Sequence, residues 1–427
     1  MNIEALYKIY QQHPHIQTDS RKIAAGDLYF ALKGGNFDGN NFAAQALQDG
    51  AAYAIVDDPT VVASDKYILV DDVLSTLQHL ATHHRKQFNI PFIAITGTNG
   101  KTTTKELAYQ VLSSSFRTYA TEGNLNNHIG VPLTLLKIRP DAEMAIIEMG
   151  ANHEKEIAFY CGIAQPNYAI INNVGKAHLE GFGSLEGVRR AKGELYDYIR
   201  QTNGTIFINA DLDYLQEMAQ GITKQVRYGS ANASVLGRVI SGGPCLQFAV
   251  LSSGMETLIQ TQLVGDYNFP NAMAAVAVGH HFGISVDKIK TALEAYSPSN
   301  SRSQLIQKGN ITIIMDAYNA NPTSMKLAID NLAAMQTEKE KWLLLGAMKE
   351  MGKNCKQEHE ALVQLAQAHG FTNVILVGKE FEQVQHNYRY FETAAAAGEW
   401  LAAHLPDNAI MLVKGSRGSK MEDTLQI

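Results

Sequence analysis

A lysine and a threonine follow a short glycine turn in a pattern that is typical of phosphate binding. The stretch 97–102, Gly-Thr-Asn-Gly-Lys-Thr, comes directly after an apolar run, and a helix is predicted from Thr102 to Ser114. Backbone N–H groups and the positive end of a helix attract an anion. In such a loop Lys101 would reach the terminal phosphates and the Thr102 hydroxyl would bind magnesium. The general pattern has one more glycine, where this chain has Ile95.

Two further polar residues stand where predicted strands end. The apolar strand 144–148 ends in Glu148, and His178 follows the stretch Tyr168 to Gly175, a predicted strand that runs into a loop. In a parallel sheet the carboxyl ends of the strands face the ligand crevice. Glu148 is therefore a candidate magnesium ligand, because magnesium takes oxygen ligands, although a solvated strand-end glutamate fits the pattern as well. His178 is a candidate metal ligand because it follows a strand end at the same predicted crevice.

Other polar residues leave two interpretations open. Lys192 lies in the predicted helix Gly187 to Arg200, and its pattern alone fits a surface lysine. The asparagine-rich loop Gly123 to Gly130 fits either a substrate contact or a turn. The stretch Val264 to Asn271 opens a predicted apolar helix from Ala272 to Phe282, where the amides of Asn268 and Asn271 bond either the backbone or the edge of an adenine base.

The elements that must position these residues divide the chain into three predicted domains. They are 1–90, 91–299 and 300–427, and the last division falls in the linker-like stretch Ser297 to Ser301. Strands alternate with helices, most clearly in the third domain, which indicates an α/β protein with parallel sheets. A length of 427 residues also fits roughly three domains.

Composition excludes several classes of protein. The chain has 36 Lys+Arg and 42 Asp+Glu, so its formal net charge of −6 argues against a general nucleic-acid binder. The three cysteines are scattered without metal-type spacing and indicate reduced thiols. We see neither a signal-peptide pattern nor an apolar run of about 18 residues. We therefore expect a cytoplasmic protein without membrane insertion.

A set of motifs spread over essentially the whole chain resembles the Mur ligase family, the ATP-dependent amide-forming enzymes of bacterial peptidoglycan precursor synthesis. The motifs are 18–21, 26–32, 37–39, 97–103, 123–132, 148–153, 177–184, 191–194, 318–322 and 414–417. The resemblance implies a small α/β N-terminal domain that binds the UDP precursor, a central P-loop ATPase-type parallel-sheet domain that binds ATP, and a C-terminal Rossmann-like α/β domain. The segment Tyr318 to Pro322 favours the members that use D-alanyl-D-alanine.

The resemblance also implies roles for individual residues. Lys101, Glu148, His178 and Lys192 would be catalytic. Thr102 and Glu148 would hold one magnesium ion, and His178 and a carbamylated Lys192 a second. The implied ATP-binding residues are Gly97, Thr98, Asn99, Gly100, Lys101, Thr102, Thr103, Asn268, Asn271, Arg302, Asp316, Tyr318 and Asn319. The implied substrate-binding residues are Ser20, Arg21, Asn126, Asn127, Lys414 and Arg417. Three positions depart from the family pattern, namely Tyr267, Ser301 and Ala347.

The implied reaction uses ATP and two magnesium ions to join D-alanyl-D-alanine to UDP-N-acetylmuramoyl-tripeptide through an acyl phosphate. The expected oligomeric state is a monomer. Three alternatives stay open: a sister amide ligase with another acceptor, a nucleotide switch or transport ATPase, and a folylpolyglutamate-type ligase. The third residue of the peptide is not fixed by the sequence.

Overall fold

The structure, a computed structural model, describes residues 2–240, 243–252, 254–298 and 302–425. Three layered α/β assemblies follow one another along the chain, and each is built on a main sheet of its own. The predicted α/β class is therefore confirmed. Among the described residues, no helix has both the length and the apolar character needed to cross a membrane.

Among the described residues, the N-terminal domain contains six short strands and three α-helices. The strands are β1 (Ile16–Gln17), β2 (Leu28–Phe30), β3 (Lys33–Gly34), β4 (Phe37–Asp38), β5 (Tyr53–Val56) and β6 (Tyr67–Leu69). The helices are α1 (Ile3–Gln12), α2 (Ala43–Gln48) and α3 (Val73–Arg85). The main sheet is parallel with the order β1-β2-β5-β6, while β3 and β4 form a hairpin. Asp72 caps the start of α3 by accepting a hydrogen bond from Ser75 N (2.6 Å).

The central domain contains nine strands and eight α-helices in the described residues. The strands are β7 (Phe92–Thr96), β8 (Thr118–Ala120), β9 (Met144–Glu148), β10 (Tyr168–Ile171), β11 (Thr205–Asn209), β12 (Lys224–Gly229), β13 (Val235–Val239), β14 (Cys245–Ser252) and β15 (Met255–Val264). The helices are α4 (Lys101–Ser113), α5 (Gly130–Leu136), α6 (Glu156–Ala164), α7 (Leu179–Phe182), α8 (Leu185–Thr202), α9 (Asp213–Met218), α10 (Phe269–His281) and α11 (Val286–Ala295).

The order of this sheet brings the predicted polar strand ends together. It is β15-β14-β13-β12-β11-β10-β7-β9-β8, so β7 lies between β9 and β10. Both neighbours are parallel to β7, with Ile95 opposite Glu148 and Thr96 opposite Ile171. The loops that follow these three strands therefore share one edge, which is where a parallel sheet binds ligands.

The C-terminal domain contains six strands and three α-helices in the described residues. They are β16 (Gln304–Lys308), β17 (Ile311–Asp316), β18 (Glu340–Gly346), β19 (Asn373–Val377), β20 (Arg389–Phe391), β21 (Ala409–Lys414), α12 (Pro322–Ala334), α13 (Cys355–Ala368) and α14 (Ala394–Ala403). The order is β16-β17-β21-β18-β19-β20, and the strands are parallel except for β16. Both edge strands, β16 and β20, carry exposed polar residues and therefore give only a weak strand signal in the sequence.

A continuous apolar core joins the N-terminal and central domains. Helix α3 packs on α5 and α6, and buried Leu77 and Leu80 belong to the same cluster as Phe92. The buried Arg85 stabilises this contact, because its guanidinium donates to Ala164 O and Gln165 O (2.8 Å each). The predicted boundary between residues 90 and 91 thus lies in a region where both domains contribute side chains to one apolar core. The predicted boundary between residues 299 and 300 lies outside the described residues. The domain limits stay a prediction.

Candidate active site

The phosphate loop runs from the end of β7 into α4. Gly97 has φ +145° and Gly100, the N-cap of α4, has φ +79°. These conformations favour glycine, because a Cβ would clash in them. Helix α4 starts at Lys101, one residue before the predicted start, and turns its free N–H groups towards the loop. A helix N-terminus in this arrangement has the geometry that favours a phosphate group.

Replacing Gly100 with alanine is expected to weaken ATP binding at least tenfold. The added Cβ would lie 2.4 Å from Asn271 Oδ1 and 3.0 Å from Asn172 Nδ2, and the left-handed backbone adds strain of about 1–2 kcal/mol. Calorimetric titration with ATP measures the effect. Gly162→Ala is the matched control, because no atom lies within 4 Å of its new Cβ. Unchanged ATP affinity in Gly100→Ala would contradict the assignment.

Glu148 has one carboxylate oxygen that the protein leaves free. Its Oε1 accepts hydrogen bonds from Thr102 Oγ1 (3.1 Å) and Asn126 Nδ2 (2.8 Å). In the part of the chain that the structure describes, the buried Oε2 has no hydrogen-bond partner. A buried carboxylate oxygen without a donor is costly, and a divalent cation beside Thr102 would satisfy it. These two residues therefore fit a magnesium ion.

The donor set fits magnesium that arrives with a nucleotide. The described ranges hold no group of three or more histidines, cysteines, aspartates and glutamates that could bind a metal ion. Magnesium usually takes one or two carboxylates and completes its shell with waters and phosphate oxygens. The Thr102 hydroxyl and the single Glu148 carboxylate beside the phosphate loop are protein ligands of this kind.

Lys101 turns its ammonium group into the loop. Its Nζ donates to Gly97 O (2.8 Å) and to Thr98 O (3.3 Å). Burial lowers the pKa of Lys101, and the nearby charge of Glu148 opposes this effect. Both hydrogen-bond partners are neutral carbonyls, so the ammonium charge is available to a phosphate.

Lys192 lies in the middle of α8 and is buried, at 2% exposure, so the interpretation as a surface lysine is wrong. Its Nζ lies 3.4 Å from Ala151 O and 5.4 Å from the ring centre of Phe182. Burial, followed by the positive charge of Lys101, lowers the pKa of Lys192 to about 7. A buried lysine of this kind is partly neutral at neutral pH, and a neutral amine is a nucleophile.

His178 contacts a carboxylate from the C-terminal domain. Its Nδ1 lies against Oε2 of Glu350, in the loop after β18. The proximity of His178 lowers the pKa of Glu350. The ring of Phe182, already next to Lys192, also lies 6.4 Å from the His178 ring, centre to centre. The two predicted ligands of the second cation thus share an aromatic neighbour.

Asn268 and Asn271, which are predicted to lie near the adenine, are hydrogen-bonded to each other, and Asn271 also bonds to α4, the helix that follows the phosphate loop. Asn271 Nδ2 donates to Asn268 Oδ1 (2.9 Å), and Asn268 Nδ2 donates to Val264 O (2.9 Å). Asn271 Oδ1 accepts from Thr104 Oγ1 and from Asn172 Nδ2 (3.2 Å each). This network fixes the start of α10 against α4 and so positions the loop.

The C-terminal domain supplies the side of the site that lies opposite the phosphate loop. The guanidinium carbon of Arg302 lies 3.5 Å from the ring centre of Tyr318. Asp316 accepts from Lys414 Nζ at Oδ2 (2.5 Å) and from Ser303 N at Oδ1 (3.2 Å). The charge of Arg302 also lowers the pKa of Lys101, so this wall faces the phosphate loop.

A single cavity of about 550 Å³ joins most of the predicted site residues. Those in its wall are Thr98, Asn99, Gly100, Lys101, Thr102, Thr103, Asn126, Asn127, Glu148, His178, Asn268, Asn271, Arg302, Asp316, Tyr318, Asn319 and Lys414. Gly97 and Lys192 lie outside the wall, although each contacts a residue of it.

The other three predicted residues lie elsewhere. Ser20 and Arg21 are in the N-terminal domain, where Arg21 Nε donates to Asp19 Oδ1 (2.8 Å). Arg417 pairs with Glu422 (2.8 Å), and its guanidinium carbon lies 5.9 Å from the ring centre of Tyr318.

Three further polar residues of the cavity wall were given no role in the sequence analysis. Asn321 Nδ2 donates to Asn99 Oδ1 (2.7 Å) across the two domains. Lys349 and Glu350 also line the cavity. All three follow strand ends, β17 and β18, so the signal that indicated Glu148 was present for them as well.

Three family models match the chain. The model described as Mur ligase family, catalytic domain, matches residues 14–92; the Mur ligase middle domain matches 95–279; and the Mur ligase, glutamate ligase domain, matches 301–417. Together these ranges include most of the chain, and they confirm the resemblance seen in the motifs. The chain belongs to the Mur ligase family.

Individual relatives are similar over nearly the full length. The UDP-N-acetylmuramoyl-tripeptide–D-alanyl-D-alanine ligase of Bacillus subtilis (strain 168) is 33% identical, covering 96% of this chain and 92% of the relative. That of Escherichia coli (strain K12) is 35% identical with the same coverage. Among solved structures, MurF from Acinetobacter baumannii gives a TM-score of 0.86 at 33% identity, covering 96% of this chain and 92% of the other. MurF ligase from Thermotoga maritima, in complex with ADP, gives 0.86 at 26% identity, covering 96% of each.

Proposed function

We propose that this chain joins D-alanyl-D-alanine to UDP-N-acetylmuramoyl-tripeptide at the expense of ATP. The products are the UDP-N-acetylmuramoyl-pentapeptide of peptidoglycan synthesis, ADP and phosphate. One observation carries this proposal: a single cavity joins the phosphate loop to a C-terminal wall that contains Arg302 and Tyr318. Relatives that carry the name of this activity are similar over 96% of the chain, which supports the choice of substrates.

In the first step the terminal carboxylate of the tripeptide attacks the γ-phosphorus of ATP. An acyl phosphate forms and ADP leaves. Phosphoryl transfer depends mainly on positioning and on stabilising the charge of the phosphate oxygens. Lys101 and the N–H groups at the start of α4 supply positive charge on one side, and Arg302 supplies it on the other.

Magnesium fits the first cation position, because Glu148 Oε2 is a buried oxygen without a donor beside the Thr102 hydroxyl. When bound, the ion supplies charge neutralisation at the phosphates. Thr102 and Glu148 would hold it, and Asn126 keeps the carboxylate oriented.

A carbamate on Lys192 would complete a second cation position with His178. The neutral amine adds carbon dioxide and releases a proton, which turns a cation into an anionic oxygen donor. Burial of Lys192, with a carbonyl oxygen as its hydrogen-bond partner, supports this modification. A carbamate would give the buried amine a charge that suits a cation.

In the second step the amine of D-alanyl-D-alanine attacks the acyl carbon, loses a proton and displaces phosphate. The acyl phosphate must be kept from water, and the C-terminal wall shields this side of the cavity. We assign Ser20 and Arg21 to the UDP end of the precursor. Asn126, Asn127, Lys414 and Arg417 are assigned to the substrates nearer the reaction. We assign the proposed enzyme to the cytoplasm, because ATP and nucleotide-linked precursors are cytoplasmic. That it acts as a monomer stays a prediction.

Phosphate release by the purified chain tests this function. With ATP and magnesium, release is expected to require both UDP-N-acetylmuramoyl-tripeptide and D-alanyl-D-alanine, and the product should be heavier by the dipeptide. Each substrate alone is the control. Release that responds to a single amino acid instead would indicate a sister ligase, and release with ATP alone would indicate a nucleotide-hydrolysing protein. Either of these results would overturn the proposal.

A further inference from the structure

One residue of the phosphate loop, Asn99, is held by two domains at once. Its backbone is fixed by the central domain, because its N–H donates to Asn173 Oδ1 (2.9 Å) and its carbonyl accepts from Asn173 Nδ2 (3.1 Å). Its side chain is held by the C-terminal domain, since Asn99 Oδ1 accepts from Asn321 Nδ2 (2.7 Å). The position of the loop and the orientation of this amide therefore depend on different domains.

The amide of Asn321 is itself oriented by the helix that it caps. Asn321 is the N-cap of α12, and its Oδ1 accepts from Ser324 N (2.9 Å), a backbone group that can only donate. The backbone N–H of Asn321 donates in turn to Ser324 Oγ (3.1 Å). Asn321 is 8% exposed, so water has little access to its amide. The cap thus leaves Nδ2 to face Asn99, which has to offer its oxygen in return.

The start of α12 lies close to the phosphate loop and is held there. Gly175 N donates to Thr98 Oγ1 of the loop (2.9 Å), and a Cβ added at Gly175 would lie 3.0 Å from Thr323 Oγ1 of α12. Next to it Lys176 Nζ pairs with Glu358 of the C-terminal domain (2.9 Å). These contacts keep the cap of α12 within hydrogen-bonding distance of the loop.

The amide nitrogen of Asn99 remains available to a ligand. In the part of the chain that the structure describes, Nδ2 is buried and has no hydrogen-bond partner. Asn99 lines the same cavity as Lys101 and Arg302. A buried donor without an acceptor is costly, and a phosphate oxygen would satisfy it. Because the start of α4 holds the inner phosphates, a donor on the side of the loop that contacts the C-terminal domain meets the outermost one.

We propose that Asn321 is a positioning residue, which turns the amide of Asn99 so that Nδ2 donates to the γ-phosphate of ATP. The orientation passes from the backbone N–H of Ser324 through the amide of Asn321 to that of Asn99. Two of these three groups belong to the C-terminal domain, so the donor is oriented only when that domain is docked. The inference rests on the proposed function, because that function brings the γ-phosphate to this loop.

The test compares ADP with a non-hydrolysable ATP analogue, both with magnesium, by calorimetric titration of the full chain. Asn321→Asp keeps the cap of α12, because aspartate caps a helix as well as asparagine does. The new carboxylate cannot donate, so Asn99 turns its Nδ2 to it and its oxygen to the phosphate. We expect the analogue to bind about 10–100-fold less tightly, the size of a hydrogen bond to a charged group, and ADP to stay within about threefold.

Asn321→Asp also adds a negative charge, and Asn99→Ala separates the two effects. Alone, Asn99→Ala removes the donor and should weaken binding of the analogue about tenfold. In that background Asn321→Asp should weaken it by less than about twofold more, because no amide is left to turn. Asn321→Ser, a neutral cap that cannot reach as far, should weaken binding of the analogue but not of ADP.

Glu358→Gln is the matched control for docking. It removes an ion pair between the same two domains without touching the phosphate loop, so it should bind both nucleotides as the unaltered chain does. A loss of analogue affinity in Glu358→Gln equal to that in Asn321→Asp would overturn the inference, because Asn321 would then act only by holding the domains together.

Three further results would overturn the inference. They are unchanged binding of the analogue in Asn321→Asp and Asn321→Ser, an equal loss of ADP and analogue affinity, and the same loss with and without the Asn99 side chain. None of these measurements requires peptide ligation. A chain that showed the expected coupling but released phosphate without D-alanyl-D-alanine would reject the proposed function and leave the role of Asn321 intact.

Discussion

Replacing Lys192 with alanine is expected to lower the rate of ligation a hundred- to a thousandfold while ATP binding changes little. Alanine removes the only amine at this buried position that can carry a carbamate, and the loss of one electrostatic stabiliser of a transition state has effects of this size. Phosphate release in the presence of both substrates measures the rate. Calorimetric titration with ATP measures binding separately.

The matched control for this variant is Arg190→Ala. Arg190 lies on the same helix, α8, but is exposed and pairs with Glu154 (2.7 Å), so its loss is expected to leave the rate unchanged. Removing carbon dioxide from the buffer should lower the rate of the unaltered chain, and bicarbonate should restore it. The Lys192→Ala variant should respond to neither treatment. A fully active Lys192→Ala variant would exclude the carbamate.

Replacing Lys101 with methionine is expected to reduce ATP-dependent phosphate release on the order of a thousandfold. Methionine keeps an unbranched stem of similar length, so the loop stays packed, but it has no charge for the γ-phosphate. The Nζ atom of Lys101 bonds to neutral carbonyls, so its loss leaves no carboxylate unpaired. The measurement is phosphate release over a range of ATP concentrations, with circular dichroism to check the fold.

Lys137→Met is the comparison for this second variant. Lys137 is an exposed lysine of the same domain and pairs with Glu122 (2.5 Å), so it should tolerate the change. If Lys101→Met released phosphate at the rate of Lys137→Met, the loop would not act on the γ-phosphate. A loss of the folded signal in Lys101→Met alone would indicate a structural role instead.

The features that the sequence predicted best are local ones. The strand, turn and helix around Lys101 follow one another in the chain, so their pattern is visible within about twenty residues. Glu148 was found in the same way, because a buried strand that ends in a carboxylate is a short pattern. The sheet order places β9 beside β7, so Glu148 and the phosphate loop lie together at the carboxyl ends of the strands, where parallel sheets bind ligands.

The features that the sequence left open depend on contacts between distant segments. Lys192 has the helical surroundings of a surface residue, and it is buried because α8 packs against several other elements, with Ala151 O and the ring of Phe182 near its Nζ. The contact of His178 with Glu350 joins two domains, and no local pattern indicates it. The network of Asn268 and Asn271 is similar, since its partners lie on α4 and after β10.

The apolar core shared by the N-terminal and central domains has a consequence for substrate choice. Because α3 packs firmly on α5 and α6, the two domains hold a fixed separation between the proposed UDP end and the phosphate loop. Under the proposed function the peptide of the precursor must span that interval. The length of the peptide would then determine whether the precursor reacts. A precursor one residue shorter or longer would bring its carboxylate to the wrong distance from the γ-phosphate, even if every side chain were recognised.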